Sequence, residues 1–238
     1  MNLLIEGFRW ILDPAHYGGS NGIDTRIIEH LGISGFVVLI AAVIAIPIGY
    51  LIGHSGRGRG IAVSLSGGVR ALPTLGFISI LALNIGIGLE APVIALVVLA
   101  IPSILAGAYI GFETVDRRTI DSARAVGMTE WQIVGKVEIP LGLPLLIGGL
   151  RSASLQVIAT ATLADYVGGG GLGHFIFLGL QTNDYAQMLA GSILVVVLAL
   201  MSEGVFSIIQ RLVVPAGVSD GRPNDVRMRS SRLVAAQG

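Results

Sequence analysis

The chain of 238 residues contains no cysteine and little charge. Without cysteine it has no disulfide, no thiol nucleophile and no thiolate metal ligand. Only 13% of its residues are charged, whereas soluble domains carry about 25%. The composition is 53% hydrophobic, and the mean hydropathy is +0.81. These values predict an integral membrane protein.

Features of enzymes and of nucleic-acid-binding proteins are also missing. The formal net charge is zero, so the chain lacks the basic face that binds phosphates, and we expect no nucleic-acid partner. The sequence contains no Gly-x4-Gly-Lys-Ser/Thr loop for ATP and no pair of histidines at metal-ligand spacing. An intramembrane enzyme using Asp165 or Glu203 would need paired carboxylates or a metal-ligand cluster, and neither is visible. We therefore predict no catalytic residue, no metal site and no bound cofactor.

Five apolar segments have the length of membrane spans, or nearly so. A helix needs roughly 20 apolar residues to cross the hydrocarbon core. The predicted fold class is therefore all-α, an integral membrane protein with about five transmembrane helices. The segments are 33–52, 71–87, 91–110, 144–167 and 185–212.

Basic residues flank these spans unequally, which predicts the orientation. Short cytoplasmic loops retain Lys and Arg. Twelve of the 15 basic residues fall in the segments 53–70, 111–143 and 211–238. On the opposite side lie only Arg9 and Arg26. We predict a multi-pass protein of the plasma membrane, with its N-terminus outside and its C-terminus inside.

The regions outside the spans differ in composition. We predict an extracytoplasmic N-terminal segment at 1–32, in which residues 24–31 form a short helix leading into the first span. Residues 33–212 would form the transmembrane domain. The tail, 213–238, is rich in Arg, Ser, Asp, Gly and Pro, and we predict that it is cytoplasmic and disordered.

A polar segment between the third and fourth spans has small residues in a characteristic order. It resembles the cytoplasmic coupling motif of ABC importer permeases, which reads Glu-Ala-Ala, three residues, Gly, nine residues, Ile-x-Leu-Pro. Asp and Ser replace the first two motif residues here, and Val and Ile replace the later Ile and Leu. The matching residues are Asp121, Ser122, Ala123, Gly127, Val137, Ile139 and Pro140.

Local signals predict two short coupling helices at about 116–139, called the coupling segment below. Asp116 and Thr129 are suitable N-caps, and Thr129 and Gln132 have the spacing of a capping box. Gly127 lies at the break, where a left-handed backbone is easiest for glycine. We expect Ala123, as a small residue, to allow close approach of another protein surface. The alternative is an ordinary connecting loop, but a much shorter loop would join two antiparallel spans.

Further runs resemble the permeases of osmoprotectant importers, which take up glycine betaine, choline and related quaternary amines. Methionine importer permeases share the coupling motif and a similar glycine run, so they are the nearest alternative. The matching runs are Arg-Ala-Leu-Pro-Thr-Leu-Gly at 70–76, Gly-Leu-Arg-Ser-Ala-Ser at 149–154, Ile-Ala-Thr-Ala-Thr-Leu-Ala at 158–164, Gly-Gly-Gly-Gly-Leu-Gly at 168–173, and Asn-Asp-Tyr at 183–185 followed by Leu-Ala-Gly at 189–191.

This resemblance implies a type I (MetI-like) importer core embedded in membrane lipid. Two ATP-binding subunits would dock on the coupling segment and hold the ATP and magnesium. A second permease, either a copy of this chain or a paralogue, would complete the pathway. An extracytoplasmic binding protein would deliver the cargo.

Two groups of residues are candidates for the transport route. Four consecutive glycines cannot support a spanning helix, so Gly168, Gly169, Gly170 and Gly171 are candidates for a gate or a binding-protein contact. A quaternary ammonium is usually held by aromatic faces. Aromatic residues along the predicted spans are therefore candidates for the pathway, although helix packing is the commoner role of such residues. They are Tyr50, Phe77, Tyr109 and Phe112.

Overall fold

The computed structural model describes residues 3–213, which form ten α-helices and no β-strand. The predicted cytoplasmic tail lies outside the described residues, apart from Val213. Two 3-10 turns (Pro14–His16 and Ala161–Val167) and one π turn (Val134–Glu138) join some of the helices. The helices are α1 (Leu3–Leu12), α2 (Ile23–Ser55), α3 (Arg59–Arg70), α4 (Thr74–Ile85), α5 (Glu90–Glu113), α6 (Arg117–Ala125), α7 (Glu130–Ile133), α8 (Ile139–Thr160), α9 (Gly173–Thr182) and α10 (Tyr185–Val213).

Four long apolar helical segments have the length and composition of membrane spans. They contain α2, α5, α8 and α10. The bent pair formed by α3 and α4 adds a fifth span if the pair is counted as one. The predicted all-α membrane fold with about five spans is confirmed.

The first span differs from its predicted form. We expected a short helix at 24–31 before a span at 33–52, but the structure has one continuous helix of 33 residues. At 1.5 Å per residue this helix is roughly 50 Å long, and the hydrocarbon core is about 30 Å thick. α2 therefore extends beyond the membrane, and the predicted boundary at 32/33 falls inside it.

The second predicted span, at 71–87, does not form a single helix in the structure. The chain forms α3 and α4, whose axes meet at 86°. The 12 residues of α4 reach only about 18 Å. Pro73 starts α4 and has no N–H to continue a helix through the break. Arg70, which we had placed in a cytoplasmic loop, ends α3, and its Nη2 lies 3.4 Å from Ser103 Oγ in the middle of α5.

α5 lies at the centre of the bundle, between α2 and α8. The core between these three helices consists mainly of small and branched apolar side chains. Its members include Val37, Ala41, Ala45, Leu96, Ala100, Ile104, Ala153 and Val157.

Glycines allow α5 and α8 to approach closely. A Cβ added to Gly142 would lie 2.8 Å from the backbone of Gly111, and one added to Gly149 would lie 2.8 Å from the carbonyl oxygen of Ser103. Gly107 meets the backbone of Gly149 in the same way. Small residues at helix contacts are typical of membrane bundles, because backbone packing replaces the hydrophobic effect there.

The fourth span also begins earlier than predicted. α8 starts at Ile139, with Pro140 in its first turn and Pro144 inside the helix. It ends at Thr160, and a 3-10 turn covers the rest of the predicted span. Arg151 Nε donates to Glu203 Oε2 at 2.7 Å, which joins α8 to α10 by an ion pair.

Candidate coupling surface and transport route

The coupling segment lies between the ends of α5 and α8, and its first helix starts as the sequence predicts. Asp116 is the N-cap of α6, with Oδ1 accepting a hydrogen bond from Arg118 N at 2.9 Å. An N-cap side chain satisfies one of the backbone N–H groups that the first turn leaves unpaired. This contact fixes where the chain turns from α5 into the coupling segment.

A Schellman motif ends α6 at Gly127. Gly127 N donates to Arg124 O at 2.9 Å, and Met128 N donates to Ala123 O at 3.1 Å. The φ angle of Gly127 is 87°, in the left-handed region that side chains disfavour. The predicted role of Gly127 as the break between two helices is confirmed.

The predicted capping box starts α7. Thr129 Oγ1 accepts from Gln132 N, and the Gln132 side chain accepts from Thr129 N at 2.9 Å. The chain then passes through the π turn into α8 without a further break.

A charged clamp holds the two halves of the coupling segment together. Arg124 Nε and Nη2 donate to the two carboxylate oxygens of Glu130 at 2.7 and 3.0 Å. Arg124 Nη1 also donates to Asp121 Oδ1 at 3.2 Å. The hydrogen bond to Glu130 raises the pKa of Arg124, so the guanidinium stays charged.

The inner face of the coupling segment is a small apolar cluster. Ile120, Ala123, Ile133 and Val115 are buried there, and Val137 packs against them. Ala123 is only 8% exposed. Our expectation that its small size admits a partner surface is therefore wrong for this structure. The small side chain instead lets α6 pack against α7 and the end of α5.

The outer face presents an exposed patch around Gly127, called the coupling surface below. The predicted residues Asp121, Ser122 and Gly127 are exposed. Val126 and Trp131 lie on either side of Gly127 in the sequence and are 78% and 86% exposed. Sequence reasoning missed these two residues, although exposed large apolar side chains beside a conformationally fixed glycine are typical of contact surfaces.

The remaining motif residues lie at the base of the segment. Val137 belongs to the π turn, and Ile139 and Pro140 form the first turn of α8. Val137, Ile139 and Pro140 are half-buried. They connect the coupling surface to the span that follows it.

A buried carboxylate links this base to α2. Glu138 is 3% exposed, and its Oε2 lies 2.8 Å from His54 Nδ1 at the end of α2. His54 Nε2 lies 3.7 Å from Glu130 Oε2. A continuous polar chain thus runs from α2 through His54 and Glu130 to Arg124. No local sequence signal reveals it, because His54 and Glu138 are 84 residues apart.

The glycine run forms a turn that is fixed against α2. Gly168, Gly170 and Gly171 have φ angles of 80°, 78° and 77°. Gly171 N donates to Glu29 Oε2 at 3.1 Å, and the next backbone N–H donates to His30 Nδ1 at 3.3 Å. The buried His30 ring in turn donates from Nε2 to a carbonyl of α8 at 2.9 Å. The run is therefore an anchored loop at the junction of α2, α8 and α9.

The aromatic candidates are only partly brought together. Tyr109 and Phe112 are 8% and 3% exposed and pack inside the bundle. The Tyr50 ring is tilted against the Phe112 ring, with ring centroids 4.3 Å apart, and both residues border a cavity of about 760 Å³ beside α7. Phe77 is half-buried in a separate cluster around α4. In this structure Tyr109 packs helices, whereas Phe112 both packs helices and borders the cavity next to Tyr50.

Two bacterial permeases resemble the chain over most of its length. The glycine betaine/carnitine/choline transport system permease protein of Bacillus subtilis is 32% identical over 190 residues, covering 80% of this chain and 88% of that protein. The carnitine transport permease protein of Listeria monocytogenes is 34% identical over 194 residues, covering 82% and 89%.

A solved structure and a family model agree with this likeness. A chain of the MetNI methionine ABC transporter matches with a TM-score of 0.70 over 81% of this chain and 96% of its own, at 23% identity. This match confirms the predicted MetI-like fold. The model of the binding-protein-dependent transport system inner membrane component matches residues 45–216. The chain therefore belongs to this family of multi-pass inner-membrane transport permeases.

Proposed function

We propose that this chain is the permease subunit of an ATP-driven importer for osmoprotectants such as glycine betaine, carnitine or choline. The coupling surface carries the proposal of ATP-driven transport. It is an ordered, exposed patch on a segment that joins two membrane helices. The named cargoes of the bacterial relatives support the choice of quaternary amines.

Two ATP-binding subunits, which hold ATP and magnesium, are the proposed partners of the coupling surface. Asp121, Ser122 and Gly127 are its exposed motif residues, and Val126 and Trp131 add apolar contact area. Ala123 supports the surface from beneath. The half-buried residues Val137, Ile139 and Pro140 pass its displacement to α8.

A binding protein is the proposed partner on the opposite face of the membrane. Twelve basic residues against two favour an outside N-terminus and an inside C-terminus, and without Arg70 the cytoplasmic group still has eleven against two. This orientation assigns 1–32 and the glycine run at 168–171 to the outside, the transmembrane domain to 33–212 and the tail at 213–238 to the cytoplasm. The anchored glycine loop is the proposed gate or binding-protein contact.

A second permease completes the proposed assembly. α10 packs on α1, α8 and α9, but few of its residues are buried in the single chain. A copy of this chain or a paralogue would form the other half of the pathway. Tyr50 and Phe77, which keep part of their rings outside the core, and Phe112, which borders the cavity beside Tyr50, are the aromatic residues proposed to contribute to it.

Uptake by cells of the source organism tests this function directly. The gene is deleted and then restored on a plasmid that encodes a tagged chain. Uptake of radiolabelled glycine betaine, carnitine, choline and methionine is measured in both strains at high osmolarity. We expect at least one quaternary amine to enter only the restored strain, and an ATP-binding subunit to co-purify with the tag.

Methionine uptake is the competing outcome. If deletion abolishes methionine uptake and leaves that of all three quaternary amines unchanged, the cargo proposal is wrong and the methionine alternative replaces it. Purification of the tagged chain without an ATP-binding subunit would contradict the proposed coupling.

A further inference from the structure

A polar cluster lies at the break between α3 and α4. Arg70 Nη2 donates to Ser103 Oγ at 3.4 Å, and Ser103 Oγ donates to Gln156 Oε1 at 3.4 Å. Gln156 Nε2 is held in turn by the carbonyl oxygen of Leu99 at 3.2 Å. Three helices thus contribute to one hydrogen-bonded group, with the arginine at its outer end.

This cluster lies near the middle of the hydrocarbon core. Ser103 is roughly 20 Å along α5 from its first residue, Glu90, and roughly 15 Å from its last, Glu113, at 1.5 Å per residue. Both distances place it close to the centre of a core about 30 Å thick. The guanidinium that contacts Ser103 is therefore at a similar depth.

The arginine lies at the surface of the single chain at this depth. Arg70 is exposed, whereas Ser103 is 6% exposed beneath it. None of the ion pairs among residues 3–213 includes Arg70. A charged side chain in the centre of the membrane is too costly to face lipid, so it faces a water-filled cavity or a partner. The broken helix next to it, at Ala71–Pro73, is the kind of backbone that membrane proteins allow only beside such a cavity or inside protein.

We propose that Arg70 binds the carboxylate of a zwitterionic quaternary amine during its passage and so favours such cargo over choline, which has no carboxylate. The inference rests on the proposed function and narrows its cargo. The planar guanidinium presents paired N–H donors that match a carboxylate. Ser103 and Gln156 act as positioning residues, because Ser103 Oγ accepts from Arg70 Nη2 and Gln156 in turn holds the Ser103 hydroxyl. The contact with Ser103 engages only Nη2 and leaves further N–H donors of Arg70 for the cargo.

Arg70→Gln tests this selectivity in the deletion strain described above. Gln keeps hydrogen-bonding capacity but removes the charge. We expect uptake of glycine betaine and carnitine to fall at least about 10-fold, the factor that corresponds to loss of one charge-assisted contact. Choline uptake should change by less than about twofold, because choline makes no such contact. Arg59→Gln, on the exposed first turn of the same helix, should leave the uptake of all three unchanged.

Other outcomes separate the two proposals. Equal loss of all three uptakes at normal protein abundance would mean that Arg70 is structural or meets the second permease, and it would overturn the inference. Unchanged uptake of the betaines would overturn it as well. If the wild-type chain imports choline alone, the osmoprotectant function stands and the role of Arg70 falls. If it imports none of the three, both proposals fail. Should Arg70→Gln not accumulate, Arg70→Lys keeps the charge without the planar fork and should still lower betaine uptake more than choline uptake.

Discussion

Gly127 has two properties that set it apart from the residues around it. Its φ angle of 87° favours glycine, and a Cβ added there would meet nothing within 4 Å in the single chain. A larger residue is therefore strained by the left-handed backbone, but its Cβ collides with nothing in the isolated chain. A further loss that grows with side-chain size is expected only if another protein covers the coupling surface.

This contrast predicts that Gly127→Trp uncouples transport. We expect the variant to reach the membrane at normal abundance but to lose cargo uptake, because the indole holds the ATP-binding subunit away from the coupling surface. Gly127→Asn is the matched control, since Asn adopts the left-handed region most readily among residues with a side chain. Uptake and membrane abundance are measured for both. Equal uptake by the Trp and Asn variants would contradict a docking role for the surface.

The residues of the coupling segment differ in how far sequence could predict them. The caps at Asp116 and Thr129 and the turn at Gly127 depend on neighbours within a few positions, so local patterns predict them. The burial of Ala123 depends on where α7 folds back, which no local pattern contains. The contact between His54 and Glu138 requires the packing of α2 against the start of α8 and was not predictable.

At the scale of elements, the close contact between α5 and α8 depends on glycine. We expect Gly142→Ala to lower the free energy of unfolding by about 1–3 kcal/mol, because the added Cβ meets the backbone of Gly111 and the helices must separate. Gly148→Ala adds the same methyl group to the same helix where nothing lies within 4 Å. It should leave stability unchanged or raise it by up to about 1 kcal/mol, because alanine favours a helix interior over glycine. Thermal unfolding of the purified variants in detergent measures both, and equal destabilisation would contradict the proposed crossing.

The link between α2 and the base of the coupling segment gives a second prediction at this scale. His54→Ala leaves the buried Glu138 carboxylate without its nearest partner and should cost about 1–3 kcal/mol. In a double-mutant cycle, His54→Ala combined with Glu138→Ala should cost clearly less than the sum of the single changes. Thermal unfolding in detergent again provides the measurement. Simple additivity would mean that the two side chains do not interact.

The helices show what hydropathy can and cannot predict. Apolar length predicted the spans that contain α2, α5, α8 and α10, because crossing a membrane requires such length. It could not predict the 86° bend between α3 and α4, since hydropathy records composition and carries no direction. Pro73 lies at the break, but the depth of that break emerges only from the packing of α3 against α5.

At the scale of the whole molecule, the proposed orientation can be tested because the natural chain has no cysteine. Ser20 and Ser55 are exposed and lie at opposite ends of α2. We expect a membrane-impermeant maleimide to label Ser20→Cys in intact cells and Ser55→Cys only after the cells are opened. The reverse labelling pattern would show that the proposed orientation is wrong and that the N-terminus is inside. Labelling of both in intact cells would show that α2 does not separate the two sides.

The glycine contacts between α5 and α8 have a mechanical consequence. The coupling segment connects these same two helices, whose backbones touch at Gly107, Gly111, Gly142 and Gly149. Because no side chains lie between the two backbones, the helices cannot shift against each other by repacking side chains. A force applied to the coupling segment between them therefore moves both helices together. The two helices then behave as one stiff arm. A small rotation at the end bearing Gly127 would become a larger sweep at the far end, near the glycine turn.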